Sequence, residues 1–186
     1  EFLGPNVPTA VAATGTGNVW VNPTNIMGDT AYATTTSGSV QTKTQIPLVA
    51  ASEPIGGQAI WSSPSNVTAT GASFASITIS AGQTQDPIAA YHGTLSIPSN
   101  ATVTGVQINF RAQSTATGSL VLQLANGATL VPYGTSVAVP LGTLRSLSVG
   151  SASYQWGTTL QPSLMSGNNL AVILTAEVSS GTSTIE

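Results

Sequence analysis

The chain has no cysteine, one histidine and very little charge. With no cysteine there is neither a disulfide nor a thiolate metal site, and little is learned about compartment. Charged residues make up 5% of the 186 positions, against roughly 25% in an ordinary soluble protein. Three cations, Lys43, Arg111 and Arg145, cannot form the basic stripe that a phosphate backbone requires, so nucleic acid is not an expected partner. No apolar run approaches the roughly 18 residues of a spanning helix, so no membrane partner is expected. Disorder is also disfavoured, because 41% of the residues are hydrophobic and Val, Ile and Leu are plentiful. These absences leave a folded β protein surfaced by Ser, Thr, Gly and Asn. Such a surface repels itself weakly and suits permanent association between subunits.

What is present is a phrase stated twice. Trp20-Val21-Asn22-Pro23-Thr24-Asn25 returns 41 positions later as Trp61-Ser62-Ser63-Pro64-Ser65-Asn66. Each copy leads into an aromatic-Ala-Thr/Ser step, Tyr32-Ala33-Thr34 and then Phe74-Ala75-Ser76. An element has been duplicated or half-duplicated, and it consists of packing and turn residues. Residues 1 to 17, with Pro5, Pro8 and three glycines, read as an extended lead-in. Ser37-Gly38-Ser39 and the Pro/Gly-containing stretch from Pro47 to Gly57 leave the first copy little room to complete a domain. The expected organisation is an N-terminal arm over 1–58 and a β-sandwich over 59–186.

From Ala59 onward the apolar residues alternate. Ile77 and Ile79, Leu95 and Ile97, Val106, Ile108 and Phe110, and Leu120, Leu122 and Leu124 read as half-buried antiparallel strands. Val137 and Val139, Leu144 to Val149, and Leu170 through Val178 predict further strands, with Glu177 alternating outward. The last residues, Ser183 to Glu186, enter another. Asn126-Gly127 predicts a hairpin turn. The one helix signal is a short turn from Leu160 to Ser166 with Pro162 at its start. Together these predict an all-β, antiparallel, jelly-roll-like sandwich with an extended arm.

The order Trp61…Pro64-Ser65-Asn66, Phe74-Ala75-Ser76, Leu95-Ser96-Ile97-Pro98, Ala101 to Val106 and Tyr154-Gln155-Trp156-Gly157 resembles a β-sandwich module of tail, fibre and other virion proteins of tailed bacteriophages. The resemblance covers 59 to about 180. It implies a non-enzymatic structural component of the virion, in tail, fibre or capsid decoration. Its implied partners are copies of itself, other virion proteins and a host-surface glycan. The turn that often carries Asp in that family has Asp29 in the first copy but Thr70-Gly71 in the second, which weakens any cation site there.

Candidate sites are sparse. A hydrolase would need His92, oriented by Asp29 or Asp86, and no nucleophile elbow accompanies it. A two-carboxylate glycosidase would draw on Asp29, Glu53, Asp86 and Glu177, which are scattered. Calcium would want clustered oxygens, and no ligand spacing supports it. No catalytic residue, cofactor or metal is therefore expected. Trp20, Trp61 and Trp156 are the notable aromatics. Each lies beside Pro or Gly at a strand edge, which favours a packing anchor with a bonded indole N–H over a sugar-stacking face. The sugar-binding alternative would make the chain a carbohydrate-binding or adhesin module of a secreted bacterial protein. The Asn66-Val67-Thr68 and Asn100-Ala101-Thr102 acceptor patterns would be idle in a phage protein. The first Trp phrase either completes a neighbour's sheet by strand addition or packs as extra strands on its own sandwich.

Overall fold

A computed structural model describes residues 18–21, 34–37, 41–43, 45, 47–53, 55–68, 73–93, 95–126, 129–130, 134–166 and 170–186. Expectations for the lead-in over 1–17, for 22–33 with Asp29 and Tyr32-Ala33, for Gly38-Ser39, Thr70-Gly71 and Gly127, and for the side chain of Trp20 lie outside the described residues. The chain divides into two compact units, Glu1–Lys43 and Thr44–Glu186.

In the N-terminal unit Trp20 and Val21, the first two residues of the Trp phrase, end strand β1 (Asn18–Val21). It pairs antiparallel with β2 (Thr34–Ser37), Asn18 opposite Ser37 and Val21 opposite Thr34.

The second unit is an all-β, antiparallel sandwich. One layer is a six-stranded sheet. Its edge strand β3 (Pro47–Ser52) pairs with β5 (Ile88–His92), β5 with β11 (Leu170–Glu177), and β11 with β7 (Gly118–Asn126). The far side of β7 is shared by β8 (Thr129–Leu130) and β9 (Thr135–Val139). The other layer holds two strand pairs, β4 (Ile77–Ser80) with β12 (Thr182–Ile185) and β6 (Gln107–Ala112) with β10 (Arg145–Gly150). Reciprocal backbone bonds of 3.0 Å between Gln113 and Glu186 join the two pairs. The first layer supplies Ile88, Ala90, Leu120, Leu122, Leu124, Val172 and Ala176 to the core, and the second supplies Ile77, Ile79, Val149 and Ile185. Alternation builds β7 most plainly, since Leu120, Leu122 and Leu124 are all buried while Val121 and Gln123 are less so.

Several expectations need correction. Leu95 and Ile97 are not in a strand: residues 95–106 run without a ladder, and these two side chains pack against the core from a loop. His92, the hydrolase candidate, is the last residue of β5. Pro47–Ser52, on the N-terminal side of the expected boundary at 58, is the edge strand of the six-stranded sheet. Asn126 ends β7 opposite Thr129 of β8, so the two strands pair antiparallel across the expected hairpin, whose Gly127 lies outside the described residues. The short helix is found as α1, Pro162–Met165, with Pro at its start.

Two turns fix the periphery. Trp156 (φ 53°) and Gly157 (φ 76°) both take left-handed backbone, an uncommon conformation for Trp. The turn is held because Trp156 Nε1 donates to the Val106 carbonyl at 3.0 Å, while Gln155 Nε2 donates to Val103 and Thr104 carbonyls at 3.0 and 3.1 Å. On the opposite flank, Asp86 accepts the Ile55 and Gly57 backbone N–H groups on Oδ1 at 3.0 and 2.7 Å. Gly57 lies so close to Gln85 that a Cβ there would fall 2.1 Å from the Gln85 carbonyl carbon.

Candidate functional site

A shallow open cleft of about 470 Å³ is bounded by the ends of both layers. One wall is Ile79 and Ser80 of β4 with Gly82 and Gln83 of the turn that follows. The opposite wall is Thr117, Gly118 and Ser119 at the start of β7 with Ala138 of β9. Ala176, Glu177, Val178 and Ser179, at the end of β11, complete it. Its polar groups are four hydroxyls, one amide and one carboxylate. Glu177 is the only charge in the lining, and it is exposed.

Each wall is pinned from behind. Gln83 Oε1 accepts the Ser80 backbone N–H at 2.7 Å and the Gln83 N–H returns to the Ser80 carbonyl at 3.0 Å, closing a tight turn around Gly82 (φ 78°). Ser183, fully buried in β12, accepts the Ala116 N–H and donates to the Ala116 carbonyl, both at 3.1 Å, which sets the approach to Thr117. At the end of β11, the buried Gln85 amide donates to the Ala176 carbonyl, and its Oε1 accepts the Trp61 indole N–H at 3.1 Å. Gly118 faces a narrow space, since a Cβ there would meet Ile185 Cδ1 at 3.0 Å and the Glu177 carbonyl at 3.4 Å. The walls are thus set before any ligand arrives, which lowers the ordering cost of binding.

The residues singled out in the sequence do not assemble elsewhere. Asp86 is committed to two loop amides and stands six residues from His92 along one extended segment, about 20 Å away at strand rise. The two therefore form no dyad. Burial pushes the His92 imidazole below its ordinary pKa, and its Nε2 is buried without a hydrogen-bond partner. Glu53 accepts the Tyr91 hydroxyl at 2.9 Å; that bond, with burial and the carboxylate charge, holds the Tyr91 hydroxyl above its ordinary pKa. Among the described residues no three His, Asp or Glu side chains cluster as a metal site would need.

Trp61 is 6% exposed and Trp156 is 0% exposed, each with its N–H bonded. Neither offers a flat open face to a sugar. Among the described residues the exposed aromatic is Tyr154, at 37%, tilted 59° against Trp156 with its hydroxyl 3.0 Å from that of Thr135. Besides Tyr154, the exposed large apolar side chains among the described residues are Leu48 and Val49 on β3, Ile55 and Ile60 after it, and Leu141 after β9.

No family model matches the sequence, and no curated protein matches it. A solved structure matches in shape. It is described as "CBM4 structure and function", with a TM-score of 0.39 and 14% identity over 60% of this chain and 76% of that one. That likeness is distant, and the β-sandwich reading rests on the strand ladders themselves; nothing found ties the chain to virion proteins.

The cleft escaped sequence reasoning because its lining comes from four separated segments of unremarkable Ser, Thr, Gly and Ala. The one legible signal was Glu177, a carboxylate alternating outward at the end of an otherwise apolar strand.

Proposed function

We propose that the sandwich is a non-catalytic carbohydrate-binding module and that the glycan lies in the cleft bounded by β4, β7, β9 and β11. The observation that carries this reading is the cleft's chemistry. Hydroxyls of Ser80, Thr117, Ser119 and Ser179 and the Gln83 amide both donate and accept, as a neutral polyol requires. Glu177 adds one charged acceptor for sugar hydroxyls, and a charge-assisted bond is roughly twice as strong as a neutral one. Ile79, Ala138 and Val178 supply apolar surface for the C–H faces of a ring. An anionic ligand would meet Glu177 with no cation in the lining to offset it.

The test is a screen of the purified chain on neutral polysaccharides by affinity electrophoresis, followed by calorimetry on those that retard it. Glu177→Gln is expected to weaken binding about tenfold, the effect of one charge-assisted bond. Arg111→Ala, which does not line the cleft, is expected to leave it unchanged. Retention by no polysaccharide, or equal retention of wild type and Glu177→Gln, would sink the proposal.

The exposed Leu48, Val49, Ile55 and Ile60 favour a second reading, as a virion structural component of a tailed phage. There a neighbouring subunit covers the β3 edge, and the chain works as an oligomer in the particle, in contact with other virion proteins and with host glycan. A ring or trimer that persists at submicromolar concentration and dissociates in Val49→Lys would support it. A monomer at all concentrations would count against it.

A further inference from the structure

Tyr154 is fixed at every polar atom and is still exposed. Its N–H donates to the Ser151 carbonyl and its carbonyl accepts the Val106 N–H, both at 3.1 Å. Its hydroxyl lies 3.0 Å from the Thr135 hydroxyl, and its ring is tilted 59° against Trp156 with centroids 5.4 Å apart. The ring also packs beside Gly150, where an added Cβ would stand 3.3 Å from Tyr154 Cδ1. Even so, 37% of the residue is exposed. An idle surface side chain keeps its rotamer freedom, which this one has given up, and a packing side chain is buried, which this one is not.

The turn that follows carries backbone strain. Gln155 to Thr158 form a tight turn closed by the Thr158 N–H on the Gln155 carbonyl at 3.1 Å, with Trp156 and Gly157 at φ of 53° and 76°. Two positive φ angles in succession suit Asn-Gly and disfavour a Trp at the first position. An Asn there would relieve the strain and take away the indole against which Tyr154 leans. Strain of this kind persists only where the surrounding structure over-determines it, and it collects at binding sites. Gln155 supplies that support, with its amide on the Val103 and Thr104 carbonyls and its Oε1 accepting the Leu160 N–H at 3.0 Å.

We propose that Tyr154 is a sugar-stacking residue and that the glycan held in the cleft extends along β9 to reach it, so that the ligand is a chain of several neutral sugars and not a single ring. This rests on the carbohydrate reading of the cleft. Three observations point to such a chain. Thr135, which anchors the Tyr154 hydroxyl, stands three residues from Ala138 of the cleft on the same strand, about 10 Å at strand rise, so the two contacts are farther apart than one sugar ring spans. Beside the ring lie the exposed hydroxyls of Ser151 and Ser153, 3.3 Å apart, which donate and accept as sugar hydroxyls require. From Ala112 to Ala176 the sequence holds one charge, Arg145, so the surroundings of the ring suit an uncharged ligand. A ring already fixed at both ends offers its contact area at little further cost in ordering.

The experiment uses the full chain with maltohexaose, cellohexaose, xylohexaose and mannohexaose and the matching disaccharides. Calorimetry on the hexasaccharide that binds is expected to give an affinity lower by about fivefold or more in Tyr154→Ala than in wild type, the loss usual for an aromatic anchor. Tyr154→Phe, which keeps the ring and gives up only the bond to Thr135, is expected to lose less. Hydroxyl-radical footprinting of wild type, read by mass spectrometry, is expected to show Tyr154 protected by that hexasaccharide and left open by the disaccharide, and it depends on no variant folding. Equal hexasaccharide affinity in wild type and Tyr154→Ala, or an unprotected Tyr154 at saturation, overturns the proposal. If Glu177→Gln still weakens that same binding, the cleft reading stands without it. Protection of Tyr154 by the disaccharide overturns the extended chain. Binding of no hexasaccharide overturns the proposal and the cleft reading together.

Discussion

The Trp61 indole N–H donates to Gln85 Oε1 at 3.1 Å, and the same Gln85 amide donates to the Ala176 carbonyl of β11. One buried side chain thus ties the second Trp phrase to a cleft residue. Replacing Gln85 by Leu keeps similar volume but strands a buried N–H on one side and a buried carbonyl on the other. Each unsatisfied group costs about 1–3 kcal/mol, so a loss of about 2–6 kcal/mol in urea unfolding is expected. Combining Gln85→Leu with Trp61→Phe is expected to cost less than the sum of the single changes by about 1 kcal/mol. Strict additivity would show that the two side chains do not act together.

Gly150 and Gly142 separate conformational strain from collision. Both have left-handed backbone, with φ of 83° and 63°. A Cβ at Gly142 would meet nothing within 4 Å, whereas one at Gly150 would fall 2.2 Å from the Val106 carbonyl oxygen. Gly142→Ala is expected to cost about 1 kcal/mol, the ordinary left-handed penalty for a non-glycine residue. Gly150→Ala is expected to cost about 3 kcal/mol or more, because it also displaces the carbonyl that accepts the Trp156 N–H. Equal losses in thermal unfolding would remove the collision argument.

His92 makes stability depend on pH in a defined direction. Burial lowers its folded-state pKa below the ordinary 6.5. Above that value the imidazole is neutral in both states and its contribution to stability is complete. As pH falls below 6.5 the unfolded chain takes up a proton that the folded chain resists, so stability falls until the lowered folded pKa is passed. The urea midpoint is expected to drop between pH 7.5 and 5 by more in wild type than in His92→Gln. Parallel pH profiles for the two proteins would show that His92 titrates alike folded and unfolded.

What the sequence revealed and what it hid follow from how each strand is buried. β7 and β4 face the core on one side only, so their alternation at Leu120, Leu122 and Leu124 and at Ile77 and Ile79 was legible. In β5, Ile88, Ala89 and Ala90 are all buried, so it shows no alternation and is built from small residues besides. β3 carries a register shift between Pro47 and Val49 that leaves Leu48 and Val49 both exposed, which erased its period. The erased period of β3 accounts for the misplaced arm boundary. Leu95 and Ile97 alternate without a ladder because both insert into the core from a loop. The cleft was illegible for a different reason: no single segment contributes more than four of its residues.

Ala138 gives the most direct test of the cleft without touching its polar groups. It is exposed on β9 and lines the cleft opposite Ser119, its partner across the β7–β9 ladder. An indole placed there enters the space a sugar ring would take, while the strand backbone and the core stay as they are. Ala138→Trp is therefore expected to abolish retention on any polysaccharide that retards wild type, and to shift the melting temperature by no more than the roughly 0.5 kcal/mol usual for surface changes. Ala138→Ser, which adds a hydroxyl without filling the space, is expected to keep retention. Undiminished binding by Ala138→Trp would move the glycan off this cleft. Tyr154 would then be the residue to change next, because it is the exposed aromatic among the described residues.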